Sequence, residues 1–244
     1  MPSIKQIFYQ SSKTIVDLIY MSFICCPLPI FWKYATCKIN LIKNIDHYNY
    51  TFNISSLNLS NDWFSISIPS WMYTMKHLQI HPSSKMNILE IGSFEGCSTY
   101  FLLDFFKNST ITAVDTWNGS IEHKGKINFI EVEKRFDQNI LPFKNRLKKM
   151  KSTSNDFFTL CKDQRFELIY IDGDHHASAV YQDAVQAFLV LKINGVLIFD
   201  DFNWRHSFKL SELPGPGIIK FIKDYKSQLK VIYVGYQLHI QKIY

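Results

Sequence analysis

The chain has 244 residues and a hydrophobic fraction of 47%, enough for one substantial core and too apolar for a disordered segment. Its formal charge of +6 comes from scattered lysines and argues only weakly for a nucleic-acid partner. Five cysteines, at 25, 26, 37, 97 and 161, form neither an even disulfide set nor a C-x-x-C zinc pair, which points to a reducing, cytoplasmic compartment.

Residues 1–60 read as an aromatic, apolar N-terminal extension preceding a domain over 61–244. The run 15–31 is apolar, but Asp17 lies inside it and Pro27 and Pro29 interrupt it, leaving fewer than the roughly 18 residues a spanning helix needs. The favoured reading is a helix packed on the domain, with peripheral membrane contact as the second. Lys5 and Lys13 ahead of the run suggest a signal segment, yet no small-x-small cleavage site follows. A loop over 61–71 then leads into a helix over 71–78.

From Asn87 onward, short β-rich runs alternate with segments of helical length, the pattern of a parallel sheet covered on both faces. Strands are predicted over 87–91, 110–114, 146–149, 168–171 and 195–199, closing with a pair at 230–234 and 237–241. The Gly235-Tyr236 step is too short for a crossover, so that pair forms an antiparallel hairpin. Helices are predicted over 98–106, 127–139, 154–161, 177–191 and 217–225, with Pro214-Gly-Pro-Gly217 marking the entry to the last. The fold class is α/β: a Rossmann-like three-layer sandwich on a mostly parallel seven-stranded sheet with a reversed last strand pair.

The run Asn87-Ile-Leu-Glu-Ile-Gly-Ser-Phe-Glu-Gly-Cys-Ser-Thr99 reads as a buried strand, a turn carrying Gly92 and Gly96, and a helix starting near Ser98. Glycines suit a place where a ligand approaches the backbone, and the helix N-terminus offers N–H groups to a carboxylate. A dinucleotide fingerprint would need glycines where Phe94 and Cys97 stand. Glu90 and Glu95 would repel a pyrophosphate and welcome a ligand bearing a sulfonium and an ammonium. The alternative is a generic strand-to-helix turn with incidental acids.

Asp115 ends the next strand, 23 residues beyond Gly92, where it can accept both ribose hydroxyls of a nucleoside. Trp117 either stacks on adenine or fills the core. Ser152 is a second adenine contact, and Ser93 and Thr116, neighbours of Gly92 and Asp115, join the cofactor set.

Two later strands also end in polar groups: Phe166-Glu-Leu-Ile-Tyr-Ile-Asp-Gly-Asp-His-His176 and Gly195-Val-Leu-Ile-Phe-Asp-Asp201. In a parallel sheet their ends share one edge, which gathers Asp172, Asp174, His175, Asp200 and Asp201 beside the cofactor turn. Clustered carboxylates must shift each other's pKa or share a cation, and oxygen donors favour a hard ion such as Mg²⁺. Asp172, Asp200 and Asp201 are the candidate ligands, Asp172 also bordering the cofactor, and His175 is the candidate general base. Equally, Asp200 or Asp201 caps the next loop, Asp174 stabilises its turn, and His176 is merely exposed.

At these residues the sequence resembles the class I S-adenosylmethionine-dependent methyltransferases, and within them a group related to the macrocin and cephalosporin tailoring O-methyltransferases. The resemblance covers roughly 62–243 and rests on Leu89-Glu-Ile-Gly-Ser-Phe-Glu-Gly-Cys-Ser98, Val114-Asp115, Tyr170-Ile-Asp-Gly-Asp-His175 and Phe199-Asp-Asp-Phe202. It implies methyl transfer from S-adenosylmethionine to a small-molecule acceptor, with Glu90, Gly92 and the turn on the methionine part and Asp115 on the ribose. For metal-dependent members it implies Mg²⁺ on Asp172, Asp200 and Asp201, with His175 as base. The N-terminal stretch matches no pattern of the group. Two rival classes remain: a nicotinamide-dependent oxidoreductase, against which the missing glycines and Glu95 argue, and a non-catalytic Rossmann-like binding module, against which the strand-end acids argue.

Overall fold

Strand β1 (Asn87–Ile91) buries four consecutive residues, as a strand covered on both faces must. Its side chains divide by parity: Leu89 and Ile91 enter one hydrophobic core and Ile88 the other. The computed structural model describes residues 4–119 and 127–244, with side chains from Lys13 onward, so the Lys5 side chain lies outside the described residues. The remaining strands are β2 (Thr110–Asp115), β3 (Leu147–Lys151), β4 (Phe166–Ile171), β5 (Leu191–Phe199), β6 (Leu229–Val234) and β7 (Leu238–Lys242). They form one seven-stranded sheet in the order β3-β2-β1-β4-β5-β7-β6, and β7 runs antiparallel to both of its neighbours.

Helices α3 (Ile68–His77), α4 (Cys97–Phe105) and α5 (Phe129–Ile140) contribute Trp71, Phe101 and Phe136 to one core. On the other face, α6 (Ser154–Leu160), α7 (Ala177–Val190) and α8 (Pro214–Asp224) contribute Phe157, Phe188 and Phe221. The N-terminal helices α1 (Ile4–Phe23) and α2 (Leu28–Lys43) join that second core through Tyr20, Met21, Ile24, Ile30 and Tyr34. Asp17 of α1 is buried, paired to the Arg205 guanidinium at 2.5 Å and accepting the Tyr34 hydroxyl at 2.6 Å. Among the described residues no helix is long and apolar enough to cross a membrane.

Several boundaries differ from the sequence reading, each for a visible reason. The third strand starts and ends later than 146–149, because Arg146 donates to the carbonyls of Leu103, Phe106 and Ser109 at the end of α4. Lys149 and Lys151 extend that edge strand by pairing with Glu133 of α5. Pro214-Gly-Pro-Gly217 is the first turn of α8 rather than its approach, since prolines there forgo N–H groups that would have no helical partner anyway. Gly217 fits because a Cβ would stand 2.1 Å from the Ala177 carbonyl oxygen. Helix α3 likewise begins inside the expected 61–71 loop, with Pro69 in its first turn.

The register sets the functional edge. Ile91 pairs with Val114 on one side and Ile171 on the other, and Ile171 pairs with Phe199. One residue further on, Gly92 N–H donates to Val114 O, Asp172 N–H to Ile91 O and Asp200 N–H to Ile171 O, all at 2.8–2.9 Å. Gly92, Asp115, Asp172 and Asp200 therefore leave the sheet together, around the point where the strand order reverses.

Candidate active site

The turn after β1 is organised from beneath by Glu90. Its carboxylate is fully buried and accepts hydroxyls from Ser93 (2.8 Å), Ser98 (2.5 Å) and Thr99. Burial holds its pKa above the usual carboxylate range, opposed by those three hydroxyls. Glu95 is also buried, paired with Arg135 at 2.5 Å and accepting the Ser60 N–H. Both acids, expected to attract a cationic ligand, are held by protein partners, and Glu95 also lines the cleft. Glu90 acts as a positioning residue for the turn and the start of α4.

The two glycines answer to protein neighbours. Gly92 has φ +85°, and a Cβ there would lie 1.8 Å from the Asp172 carbonyl oxygen. Gly96, at φ +82°, would press a Cβ against Phe136 and Ile140 at 3.0–3.2 Å. The space a side chain would take is therefore filled by neighbouring protein atoms, while Gly92 itself still lines the cleft. Gly96 precedes α4 without a side-chain cap, so the first-turn N–H groups have no partner within the helix.

Asp115 is pinned by backbone: Oδ2 accepts the N–H of Ser93 (2.8 Å) and Phe94 (2.9 Å), and Oδ1 that of Trp117 (2.7 Å). It welds the end of β2 to the turn while facing the cleft. Thr116 Oγ accepts the Asn118 N–H at 3.2 Å, closing the next turn. The Trp117 ring is core: it is 2% exposed, lies 4.9 Å from the Phe136 ring, and donates Nε1–H to the Phe94 carbonyl. Ser152 follows β3, donates its N–H to Asp115 O, and keeps a buried hydroxyl with no partner.

At the ends of β4 and β5, Tyr170 donates its hydroxyl toward Asp200 (2.7 Å) and Asp172 (3.2 Å). The other Asp200 oxygen accepts Gln237 Nε2–H at 2.9 Å. Asp201, in the left-handed region at φ +55°, accepts the Tyr236 hydroxyl and lies 3.1 Å from His175 Nε2. One ligand atom each from Asp172, His175 and Asp201 lies within 4.8 Å of the others. His175, expected as a base, thus stands with Asp172 and Asp201, and Asp200 is turned toward Tyr170 and Gln237. Burial, then the charges of Asp200 and Asp201, hold Asp172 well above the usual carboxylate range. Burial, then the Asp201 charge, pushes Asp200 up to about 6. The donor set of carboxylate oxygens and an imidazole fits a divalent cation. Asp174 and His176 pair with each other at 2.6 Å, half exposed, so Asp174 braces its own turn.

Gly92, Asp115, Ser152, Asp172, His175, Asp200 and Asp201 border one cleft of about 1600 Å³. It also takes in residues the sequence reading passed over. Trp63 lies against Phe94 at 4.9 Å between ring centroids, and Asp183 is buried on α7. Lys13, Tyr34 and Lys38 come from the N-terminal helices. Gln237 and Tyr236 sit in the tight hairpin and bore no motif, and Tyr170 stood inside the strand motif without a role of its own.

Residues 89–202 match the model of a family described as a methyltransferase domain. No curated protein matches the chain in sequence. Among solved structures, the chain is similar to an O-methyltransferase from Bacillus cereus in complex with SAH, at 15% identity and TM-score 0.55, over 87% of this chain and 100% of that one. It is also similar to MycE, a methyltransferase of the mycinamycin biosynthetic pathway in complex with Mg, SAH and mycinamycin VI, at 14% identity and TM-score 0.52. That match covers 75% of this chain and 51% of MycE. At such identities the likeness speaks for the fold, and the domain match spans the glycine turn after β1 and both acidic strand ends. Together they give a segment over 89–202 that matches a methyltransferase domain, set in a fold shared with O-methyltransferases.

Proposed function

We propose that the chain transfers a methyl group from S-adenosylmethionine to a hydroxyl oxygen of a small or glycosylated acceptor. In this reading Asp172, Asp200 and Asp201 hold a divalent cation such as Mg²⁺, and His175 is the general base. The observation that carries it is the shared cleft. Its volume of about 1600 Å³ exceeds the roughly 300–1,000 Å³ of a single-ligand pocket, leaving room for two partners side by side. The ligands of the two similar structures, SAH in one and Mg, SAH and mycinamycin VI in the other, are in keeping with it. All five cysteines are free, which supports a reducing, cytoplasmic setting.

The residues present fit the cofactor. The unpaired Ser152 hydroxyl suits an adenine nitrogen, the remaining lone pairs of Asp115 suit ribose hydroxyls, and the open N-terminus of α4 suits a carboxylate. When bound, S-adenosylmethionine supplies an electrophilic methyl carbon on sulfur, and a divalent cation lowers the pKa of an acceptor hydroxyl. His175 then takes the hydroxyl proton, and the Asp201 carboxylate 3.1 Å from Nε2 stabilises the imidazolium that results. The cleft walls hold the two partners in line. One observation favours a variant of this reading: by distance, His175 belongs with Asp172 and Asp201 as a ligand, and as a ligand it is no longer a free base.

Titration calorimetry with S-adenosylhomocysteine tests the core of the reading. Saturable binding is expected, weakened sharply in Asp115→Ala, and a wild-type protein blind to the cofactor ends it. Turnover on a panel of hydroxylated acceptors with a chelator tests the metal, and an unchanged rate removes that part alone. Electron paramagnetic resonance of added Mn²⁺ separates the ligand sets: release of the ion by His175→Gln but not by Asp200→Asn makes His175 a ligand.

A further inference from the structure

Helix α7 turns one face to the cleft. Ala179, Gln182, Asp183 and Gln186 all line it, at the i, i+3, i+4 and i+7 spacing of a single helical stripe. Val180, Ala184 and Phe188 of the same helix enter the core instead. Within the stripe Asp183 is the buried member, 6% exposed, and still borders the cleft. The Ser154 hydroxyl at the start of α6 hydrogen-bonds to its carboxylate, and among the described residues no cation acts on it. Burial pushes its pKa up to about 6, so above neutral pH an ionised group sits there with no counter-charge. Acids are rarely buried without a pairing group, and the partner this one lacks is a hydrogen-bond donor arriving through the cleft.

A second orphan stands on the same side. Ser152, two residues before Ser154, lines the cleft with a buried hydroxyl that has no partner. An ideal Cβ on Gly173 would lie 3.7 Å from Asp183 Oδ2 and 3.4 Å from Ile91 Cγ2, which places the carboxylate beside the end of β1 and the loop after β4. One free acceptor and one free hydroxyl thus serve the same arm of the cleft. Adenine presents the matching pair, an amino donor next to a ring-nitrogen acceptor. Direction agrees as well: α4, whose N-terminus suits the cofactor's carboxylate, packs on one face of the sheet, and α6 and α7 pack on the other. A cofactor lying across the strand ends therefore brings its base to α6 and α7.

We propose that Asp183 accepts the amino group of the adenine base while the Ser152 hydroxyl meets the adjacent ring nitrogen, so that α7 sets the preference for an adenine nucleoside. The inference rests on the methyl-transfer reading and adds to it a residue that discriminates between bases. An amino group bonded to a carboxylate makes a charge-assisted hydrogen bond. Hypoxanthine carries a carbonyl oxygen at that place, and its lone pairs would face the carboxylate.

Calorimetry on the full chain at pH 8 compares S-adenosylhomocysteine with S-inosylhomocysteine. The wild type is expected to bind the adenosyl compound at least about tenfold more tightly. In Asp183→Asn the amide can donate to the hypoxanthine carbonyl, so the ratio is expected to fall below about threefold while the protein melts no lower than the wild type. Equal binding of both compounds by the wild type, or an unchanged ratio in the variant, overturns the inference and leaves the methyl-transfer reading standing. So does a variant that melts early and loses both compounds to the same extent, which would make Asp183 a support for its loop. A wild type blind to both compounds removes the methyl-transfer reading and this inference with it.

Discussion

The Asp172 carbonyl oxygen occupies the position next to Gly92 where any side chain would begin, 1.8 Å from an ideal Cβ. The glycine turn after β1 and the acid-bearing loop after β4 are thereby interlocked through backbone. Gly92→Ala combines that clash with a strained positive φ, and each effect costs on the order of 1–3 kcal/mol. The variant is expected to melt well below the wild type and to lose S-adenosylhomocysteine binding. An unchanged melting temperature would show that the loops are not locked.

Glu90 offers a separation of support from contact. Glu90→Ala leaves the hydroxyls of Ser93, Ser98 and Thr99 without their shared acceptor, at about 1–3 kcal/mol for each that finds no other partner. Glu90→Gln keeps an acceptor of the same shape and is expected to retain most of the stability. Chemical denaturation of the two variants checks this; equal losses would point to the charge itself as the requirement.

Trp117 tests whether the ring serves ligand or core. Trp117→Phe removes the Nε1–H donated to Phe94 O and part of the packing on Phe136, at about 1–2 kcal/mol. S-adenosylhomocysteine affinity, measured by calorimetry, is expected to move by less than about threefold, since a stacking platform lost would cost about 1–3 kcal/mol. A larger affinity loss without destabilisation would return the ring to the adenine site.

Two buried groups give stability opposite slopes with pH. Burial pushes His239 down to about 3, so the unfolded chain takes up a proton that the folded one refuses. Stability from this group is complete above the unfolded pKa of 6.5 and is lost as pH falls toward 3. Asp183 behaves the other way: burial raises it from 3.8 to about 6, so its contribution is complete below 3.8 and lost as pH rises through 6. Urea titrations are expected to show Asp183→Asn more stable than wild type at pH 7, by roughly 1–3 kcal/mol. That gain should vanish near pH 4. A pH-independent difference would remove the titration argument.

The sheet was legible because alternation of short apolar runs and helical lengths depends on local pattern. The edge residues Asp115, Asp172, Asp200 and Asp201 were legible because polar groups ending buried strands have few structural reasons to be there. What the local pattern left out were the protein partners of the charges and of the glycine. Glu90 and Glu95 look like ligand-facing acids until Ser98, Thr99 and Arg135 are seen to consume them. Gly92 looks like space for a ligand until the Asp172 backbone fills it. Arg135 and Asp172 lie on elements far along the chain, while Ser98 and Thr99 stand close in sequence but turn to Glu90 only through the fold of the turn. The hairpin residues Gln237 and Tyr236 were invisible for the same reason, since only the reversed β7 brings them to Asp200 and Asp201.

The ion pair between Asp17 and Arg205 joins the first helix to the loop that directly follows the acidic pair. A trimmed fragment beginning at the matched segment would strand that guanidinium without its anion. It would also uncover the hydrophobic layer that Tyr20, Ile24 and Tyr34 complete, and open one wall of the cleft to solvent. Expression work aimed at a minimal catalytic unit should therefore keep the amino-terminal helices, which are masonry of the same building rather than a porch.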